Sequence, residues 1–270
     1  MVSNDQRRRQ LAREKFLRQQ QRRESARRRA RTRNTVIASA LAVVVVAGAG
    51  AFAAGAFDGK DKKDSAASKP SASPSKAADP CKKPAAGKVK PLSWKKEPAL
   101  TVDKAADYTM NLATTCGDIG IDLKTKEAPH TVNSFNFLAG KGFFDHTKCH
   151  RLTTNGIYVL QCGDPKGTGA GGPGYTIPDE NLKDKSLKGN VYPAGTIAMA
   201  NTGQKHTGGS QFFLVYQDSQ LPPSYTPFGT ISDSGMKVLK KIAAAGESTG
   251  QGDGAPNATV VIDKATVKKS

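Results

Sequence analysis

No Cys-x-x-C pair and no Gly-Lys-Ser/Thr triplet occurs in the 270 residues. The first absence removes the thioredoxin-like redox signature and the paired-cysteine spacing of zinc sites; the second removes a Walker-type phosphate loop. A dinucleotide site is excluded as well. The stretch QCGDPKGTGAGGPGY (161–175) sets Gly167, Gly169 and Gly172 on a G-x-G-x-x-G pattern, but Pro173, Gly174 and Pro178 follow where the phosphate-receiving helix would have to begin. These residues rule out a regular first turn, and with it the free N–H groups that hold a pyrophosphate. Hydrolytic machinery is equally unsupported: no carboxylate pair stands out, and Ser210 leads into a strand without a G-x-S-x-G elbow.

Charge is missing altogether from residues 35–57, TVIASALAVVVVAGAGAFAAGAF. At about 1.5 Å per residue this run can cross a hydrocarbon core of about 30 Å. A cleaved secretory signal with an A-x-A site is the competing reading, yet such signals have short basic leaders and apolar cores of only about 7–15 residues. An uncleaved anchor helix fits better. Residues 1–34 hold 13 Lys/Arg against 3 Asp/Glu, which is +10 of the formal +18 and leaves +8 for the rest of the chain. With so few apolar residues the arm cannot bury enough surface to fold alone, and it is expected to be disordered or a fluctuating helix. The positive-inside rule places this arm in the cytoplasm and everything after residue 57 outside a cytoplasmic membrane crossed once. The arm is then a topology signal and a contact for anionic lipid headgroups, and nucleic acid is not an expected partner.

The four cysteines, Cys81, Cys116, Cys149 and Cys162, all fall on the exported side, where disulfides persist. Nothing in their spacing supports a zinc site with His150, so one or two disulfides are expected, with three pairings open. If Cys149 and Cys162 lie on two arms of one hairpin, a cross-strand bridge follows, with Cys81 tying the preceding segment to Cys116. That segment, residues 58–98, is mostly Lys, Ser, Ala and Pro and reads as a disordered tether. Residues 99–270 are enough for one domain with its own core, and no internal repeat occurs.

Within that domain residues 108–113 and 117–123 alternate polar and apolar across a short turn, as a hairpin does. Pro129, Val132, Phe135 and Leu138 ahead of Gly140 predict a helix, and residues 236–245 predict a second that ends at Gly246. Short apolar runs recur at 151–153, 158–161, 195–200, 211–216, 226–231 and 259–262. Many strands with only two helices indicate an antiparallel barrel or sandwich.

Three stretches carry the functional reading: CHRLTTNGIYVLQCGD (149–164), GTIAMANTG (195–203) and GGSQFFLVY (208–216). Their residue types, order and spacing resemble the cyclophilin family of peptidyl-prolyl isomerases over residues 105–265. The resemblance implies a mainly β fold, an eight-stranded antiparallel closed barrel capped by two α-helices, with an outer groove that binds an X-Pro peptide. It implies Arg151 and Gln161 as the catalytic pair, the arginine as cationic donor and the glutamine orienting it or the substrate carbonyl. Phe213, Leu221, Tyr158 and Val159 would line the proline pocket, Ala200, Asn201 and Thr202 would run beside the peptide, and Gln211 would complete the groove. Two departures stand out: the segment between Arg151 and Gln161 is two residues longer than in well-known members, and Gln220 and Tyr225 stand where the family often has Trp and His. Tyr225 can still cover the proline ring. The implied partners are proline-containing polypeptides, and the chain is expected to act as a monomer.

The chemistry agrees with these residue types. Rotation about X-Pro needs no nucleophile, metal or cofactor, only a lower barrier, and a fixed guanidinium beside an apolar recess favours the twisted amide. Taken singly the residues read otherwise: Arg151 as a surface ion-pair arginine, His150 as a buried hydrogen-bonding residue, and Asp164 and Glu180 as loop and turn residues. Phe212 and Phe213 must face opposite sides of their strand, so only one can line a groove.

Overall fold

The computed structural model describes residues 78–269. The basic arm, the charge-free run and the first part of the expected tether lie outside the described residues. Among the described residues no helix is long and apolar enough to cross a membrane.

A hairpin opens the domain, β1 (Tyr108–Thr114) and β2 (Gly117–Leu123), with Tyr108 opposite Leu123 and Leu112 opposite Ile119. Its alternation sends Met110, Leu112, Ile119 and Ile121 into the core. Helix α1 (Pro129–Gly140) follows, with proline in its first turn where a missing N–H costs nothing. Its other free amides are met from a distant loop: the Glu180 carboxylate accepts from His130 N at 3.0 Å and Thr131 N at 2.8 Å. The chain continues through β3 (Thr147–Lys148), β4 (Arg151–Thr153), β5 (Val159–Cys162), β6 (Val191–Tyr192), β7 (Thr196–Met199), β8 (Phe212–Val215), β9 (Ser219–Gln220) and β10 (Pro227–Ile231). Helix α2 (Asp233–Ala244) is capped by Ser232, whose Oγ accepts from Gly235 N, and β11 (Asp253–Gly254) and β12 (Val261–Lys269) complete the order. The helix starts three residues earlier than the apolar pattern predicts, because the cap at Ser232 recruits a polar first turn.

Ten strands form one antiparallel sheet in the order β11-β4-β5-β8-β7-β10-β2-β1-β12-β3, and β6 pairs with β9 separately. This corrects the expected closed eight-stranded barrel: the sheet curls but keeps two edges, β11 and β3. The ladder breaks at Cys149 and His150, where the chain leaves one partner for another. Cys149 N donates to Val260 O beside β12, and His150 N donates to Gln161 O on β5. Inside the curl, Phe135 of α1 packs with Phe144, Phe212 and Phe228 at ring separations of 4.6–5.6 Å. These ring contacts help to hold the helix on the sheet.

Residues 78–98, assigned by composition to a disordered tether, run instead as a strap along the domain. Cys81 is bonded to Cys116 at the β1–β2 turn, Lys82 N donates to Thr115 O, and Ala85 N donates to the Asp263 carboxylate of β12. Further on, the Trp94 ring stands edge-on to Phe137 at 5.0 Å, Trp94 N donates to Pro173 O, and His130 pairs with Glu97 at 2.6 Å. The few apolar side chains in this stretch, Leu92 and Trp94 among them, pack against the core, which is why it does not behave as its lysine and proline content predicts.

Candidate active site

Period-2 alternation sorts the central strands into two faces. Leu152, Leu160, Phe212, Leu214 and Ile197 point into the main core, whereas Val159, Gln161, Phe213, Val215 and Ala198 share the outer face. Of the phenylalanine pair, then, Phe213 faces outward. Around it a second apolar cluster gathers Val159, Tyr192, Ala200, Val215 and Leu221, with Tyr225 and Ile157 at its edge. Tyr225 stands edge-on to Phe213 at 5.2 Å. The Tyr192 hydroxyl anchors the Tyr225 backbone, donating to its carbonyl at 2.8 Å, and burial pushes the Tyr192 phenol up to about 12.

A line of polar side chains borders this recess. Arg151 lies opposite Gln161 in the β4–β5 pairing, and Gln161 lies opposite Phe213 in β5–β8. Asp253 on β11 faces Thr153 and is the diagonal, same-face neighbour of Arg151. Its carboxylate accepts from Arg151 Nε and Nη2, both at 2.8 Å. Arg151 Nη1 donates to Gln161 Oε1 at 3.3 Å, Gln161 Nε2 to Gln211 Oε1 at 2.8 Å, and Gln211 Nε2 to Gly171 O at 2.9 Å. A guanidinium can only donate and a carbonyl can only accept, so both amide orientations are set from the two ends. The Asp253 carboxylate keeps Arg151 charged against its partial burial; the guanidinium in turn holds the Asp253 carboxyl below the usual carboxylate range. Side-chain exposures of 33% and 56% leave this ion pair in contact with solvent, so it orients the arginine more than it stabilises the fold.

The glycine-rich loop lies at the far end of that line. Gly163, Gly167, Gly169 and Gly174 have positive φ, and a Cβ on Gly171 would collide with the Asp164 carboxylate. Asp164 is fully buried and accepts from Lys166 N, Thr168 N and Gly169 N at 2.6–2.9 Å. Burial opposes its ionisation, but the backbone N–H groups of Lys166, Gly171, Thr168 and Gly169 outweigh it and hold the carboxyl below its ordinary 3.8. Because the folded value is depressed, this contribution is complete above the unfolded value and disappears as pH falls through the folded one. Urea unfolding between pH 6 and pH 2.5 should therefore show a steeper loss for the natural chain than for Asp164→Asn; equal slopes would remove Asp164 from this role.

The structure brings together most of the residues that the resemblance implies. Ala200, Asn201 and Thr202 continue from β7 along a groove that Gln161 and Gln211 also line. Ala200 N donates to Gln211 O, and Asn201 Nδ2 donates to Ser224 O at 2.7 Å. Tyr158 is the exception. It lies across the strand from Val159, stacks edge-on to Tyr216 at 5.9 Å and joins the main core. The longer segment after Arg151 turns tightly at Asn155–Ile157, with Gly156 at φ 75°, and this puts Ile157 at the recess in its place. His150 is a second correction: neither ring nitrogen has a hydrogen-bond partner among the described residues, and burial lowers its pKa, so the ring sits neutral behind Arg151. Asp253 escaped sequence reading because it lies 102 positions from Arg151 in a polar Gly-rich loop. That loop is shaped by Glu247, which accepts from Thr249 N and Gly252 N.

Both disulfides close, Cys81–Cys116 and Cys149–Cys162, and the second fastens the chain two residues ahead of Arg151 to the residue after Gln161.

The family described as Cyclophilin type peptidyl-prolyl cis-trans isomerase/CLD matches residues 109–267. A protein named probable peptidyl-prolyl cis-trans isomerase B from Mycobacterium leprae is 50% identical over 196 residues, 70% of this chain and 62% of that protein. Its namesake from Mycobacterium tuberculosis is 46% identical over 198 residues, 70% of this chain and 60% of the relative. The chain thus spans about three fifths of the length of these curated relatives. A crystal structure of a Cryptosporidium parvum cyclophilin-type peptidyl-prolyl cis-trans isomerase, determined in the presence of the dipeptide Ala-Pro, superposes with a TM-score of 0.50 at 27% identity. It covers 60% of this chain and 99% of the other.

Proposed function

Since the chain belongs to the cyclophilin-type peptidyl-prolyl cis-trans isomerase family, we propose that it accelerates rotation about X-Pro bonds in polypeptides outside the cytoplasmic membrane. The observation that carries this reading is the placement of Arg151. Asp253 takes Nε and one edge of Nη2, Gln161 takes one hydrogen of Nη1, and the remaining N–H groups are left beside the recess of Val159, Phe213, Leu221 and Tyr225.

Planar amide resonance sets a barrier of about 18–20 kcal/mol for a peptide bond, somewhat different for the tertiary X-Pro amide. As the C–N bond twists, the nitrogen pyramidalises and regains its lone pair. A guanidinium N–H directed at that nitrogen bonds the twisted state and neither planar one, which is differential binding of the transition state. Phe213 and Tyr225 grip the pyrrolidine ring, so that the rest of the peptide turns against a fixed point. The twisted amide is also less polar than the planar one, and the apolar wall favours it on that account. Ala200, Asn201 and Thr202 lie where an extended peptide can pair along the groove.

In this scheme Arg151 is the catalytic residue, and Gln161 and Asp253 are positioning residues. Asp253→Ala is expected to lower kcat about tenfold with KM changed less than about twofold, since a swinging guanidinium misses the nitrogen but leaves the recess intact. Asp253→Asn, which keeps an acceptor, should recover a good part of it. A loss confined to KM, or no rescue, would remove the positioning role.

The deciding experiment is exchange spectroscopy on a blocked Ala-Pro peptide with the full-length protein in detergent. Turnover above the spontaneous rate supports the proposal, and binding without faster exchange reduces the protein to a proline-peptide binding module. The membrane arrangement, a single anchor at residues 35–57 with the arm on anionic lipid inside, rests on the charge pattern. Protease added to intact cells should digest the isomerase domain; protection would reverse the orientation.

A further inference from the structure

Beyond Gln161 and Gln211 the groove does not end. It continues between the glycine-rich loop and the strap at residues 89–97, and the whole groove, with Gln161, Gln211 and Ala200–Thr202 included, has a volume of about 1290 Å³. Ligand pockets of small molecules run to about 300–1,000 Å³, so this space holds several residues of extended chain rather than one X-Pro dipeptide. Its strap wall is held by contacts with the domain itself. Trp94 is wedged on Phe137 and Phe143 and its backbone N–H donates to Pro173 O, while Asn133 Nδ2 donates to the carbonyls of Pro98 and Ala99.

The charge on this wall is one-sided. Lys95, Lys96 and Lys166 line the groove, are exposed, and have no carboxylate within ion-pair reach among the described residues. The carboxylate that shares the lining, Glu97, is already engaged by His130. Asp164, at the base of the loop, is buried under its own backbone amides and turns no charge outward.

We propose that this extension is a second subsite, which takes an acidic flank of the proline-bearing polypeptide and so makes the protein selective for X-Pro bonds next to Asp or Glu. The inference rests on the isomerase reading for what lies in the recess, and on the groove itself for what lies beside it. Ala200 packs in the recess cluster and also lines the groove, and Gln161, which accepts from Arg151, lines it too, so one extended chain can occupy both. Exposed ion pairs of this kind are individually weak and screened by salt, and several act together.

The test uses the full-length protein in detergent and fluorescent X-Pro peptides carrying three Asp, three Ser or three Lys on either flank. Anisotropy should show one acidic-flank peptide bound about tenfold more tightly than its Ser counterpart at low salt, the advantage fading towards about 0.5 M salt. In Lys95→Glu/Lys96→Glu/Lys166→Glu, with its fold checked by thermal melting, preference should pass to the Lys-flanked peptide. No acidic preference in the natural chain, or an unchanged preference in the triple variant, overturns the proposal. So does loss of binding to phosphatidylserine vesicles in the variant with peptide preference intact, which would make the lysines a lipid contact. Turnover of a minimal blocked Ala-Pro peptide by the natural chain reports on the isomerase reading separately, because that peptide is too short to reach the strap.

Discussion

Arg151→Ala is expected to lower kcat/KM on an X-Pro peptide by about 10²-fold while moving the melting temperature by only a few degrees. A charge-assisted hydrogen bond contributes about 1.5–3 kcal/mol, and preorganised donors of the oxyanion-hole kind about 2.7–4 kcal/mol; the prediction lies where these overlap. Stability should hardly change because the arginine is a third exposed and its ion pair with Asp253 is open to solvent. Arg151→Lys should rescue little. Asp253 takes two donors in a fork and Gln161 a third, and an ammonium, with three donors on one nitrogen and no planar fork, cannot keep those three bonds and still offer a donor to the substrate. Activity of the alanine variant equal to the natural chain, with both folded by circular dichroism, would end the assignment.

The second large effect concerns the bridge behind that arginine. Cys149 and Cys162 are 13 positions apart, and a closed loop of that size restricts the unfolded chain by about 3 kcal/mol in the chain-entropy account. Cys149→Ser/Cys162→Ser should therefore lose about that much in urea unfolding. It should also lose activity well before it unfolds, because the bridge spans the place where the sheet ladder breaks. With the bridge gone, the Arg151–Gln161 register depends on two short strand pairings and the His150 N to Gln161 O bond. A double variant with unchanged kcat would show that the hydrogen bonds alone suffice. Opening Cys81–Cys116 instead should spare kcat, since that bridge joins the strap to the β1–β2 turn, away from the arginine.

Much of this architecture was legible where the pattern is local. Residues 108–123 alternate so regularly that their hairpin could be drawn from the sequence, and Pro129 with Val132, Phe135 and Leu138 marked α1 to within a residue. Four strands, β3, β6, β9 and β11, went unseen, because two residues carry no period and their pairing is decided by tertiary neighbours. The open edges of the sheet were hidden for the same reason: a break at Cys149–His150 is a property of which strand each amide faces. In the site, Arg151, Gln161, Gln211 and Phe213 came from motifs, and alternation correctly separated Phe213 from Phe212. Tyr158 was misplaced because two extra residues shift the face that each position presents, an effect that needs the turn at Gly156 to be known. Asp253 had no local signal at all. The strap had one, in Cys81 and Trp94, but their weight was lost among lysines and prolines.

The Cys81–Cys116 link has a mechanical consequence. Tension applied to the chain at residue 78 reaches a covalent joint on the β1–β2 turn after three residues, and the load passes there into an inner strand of the sheet, β1, which is hydrogen-bonded on both sides. Residues 89–97 lie downstream of the joint and carry none of it. A domain tugged from its N-terminal side would thus keep the wall of its groove unstretched until the sulfur bond is reduced, after which the same pull would strip the Lys82 and Ala85 bonds and then peel that wall away.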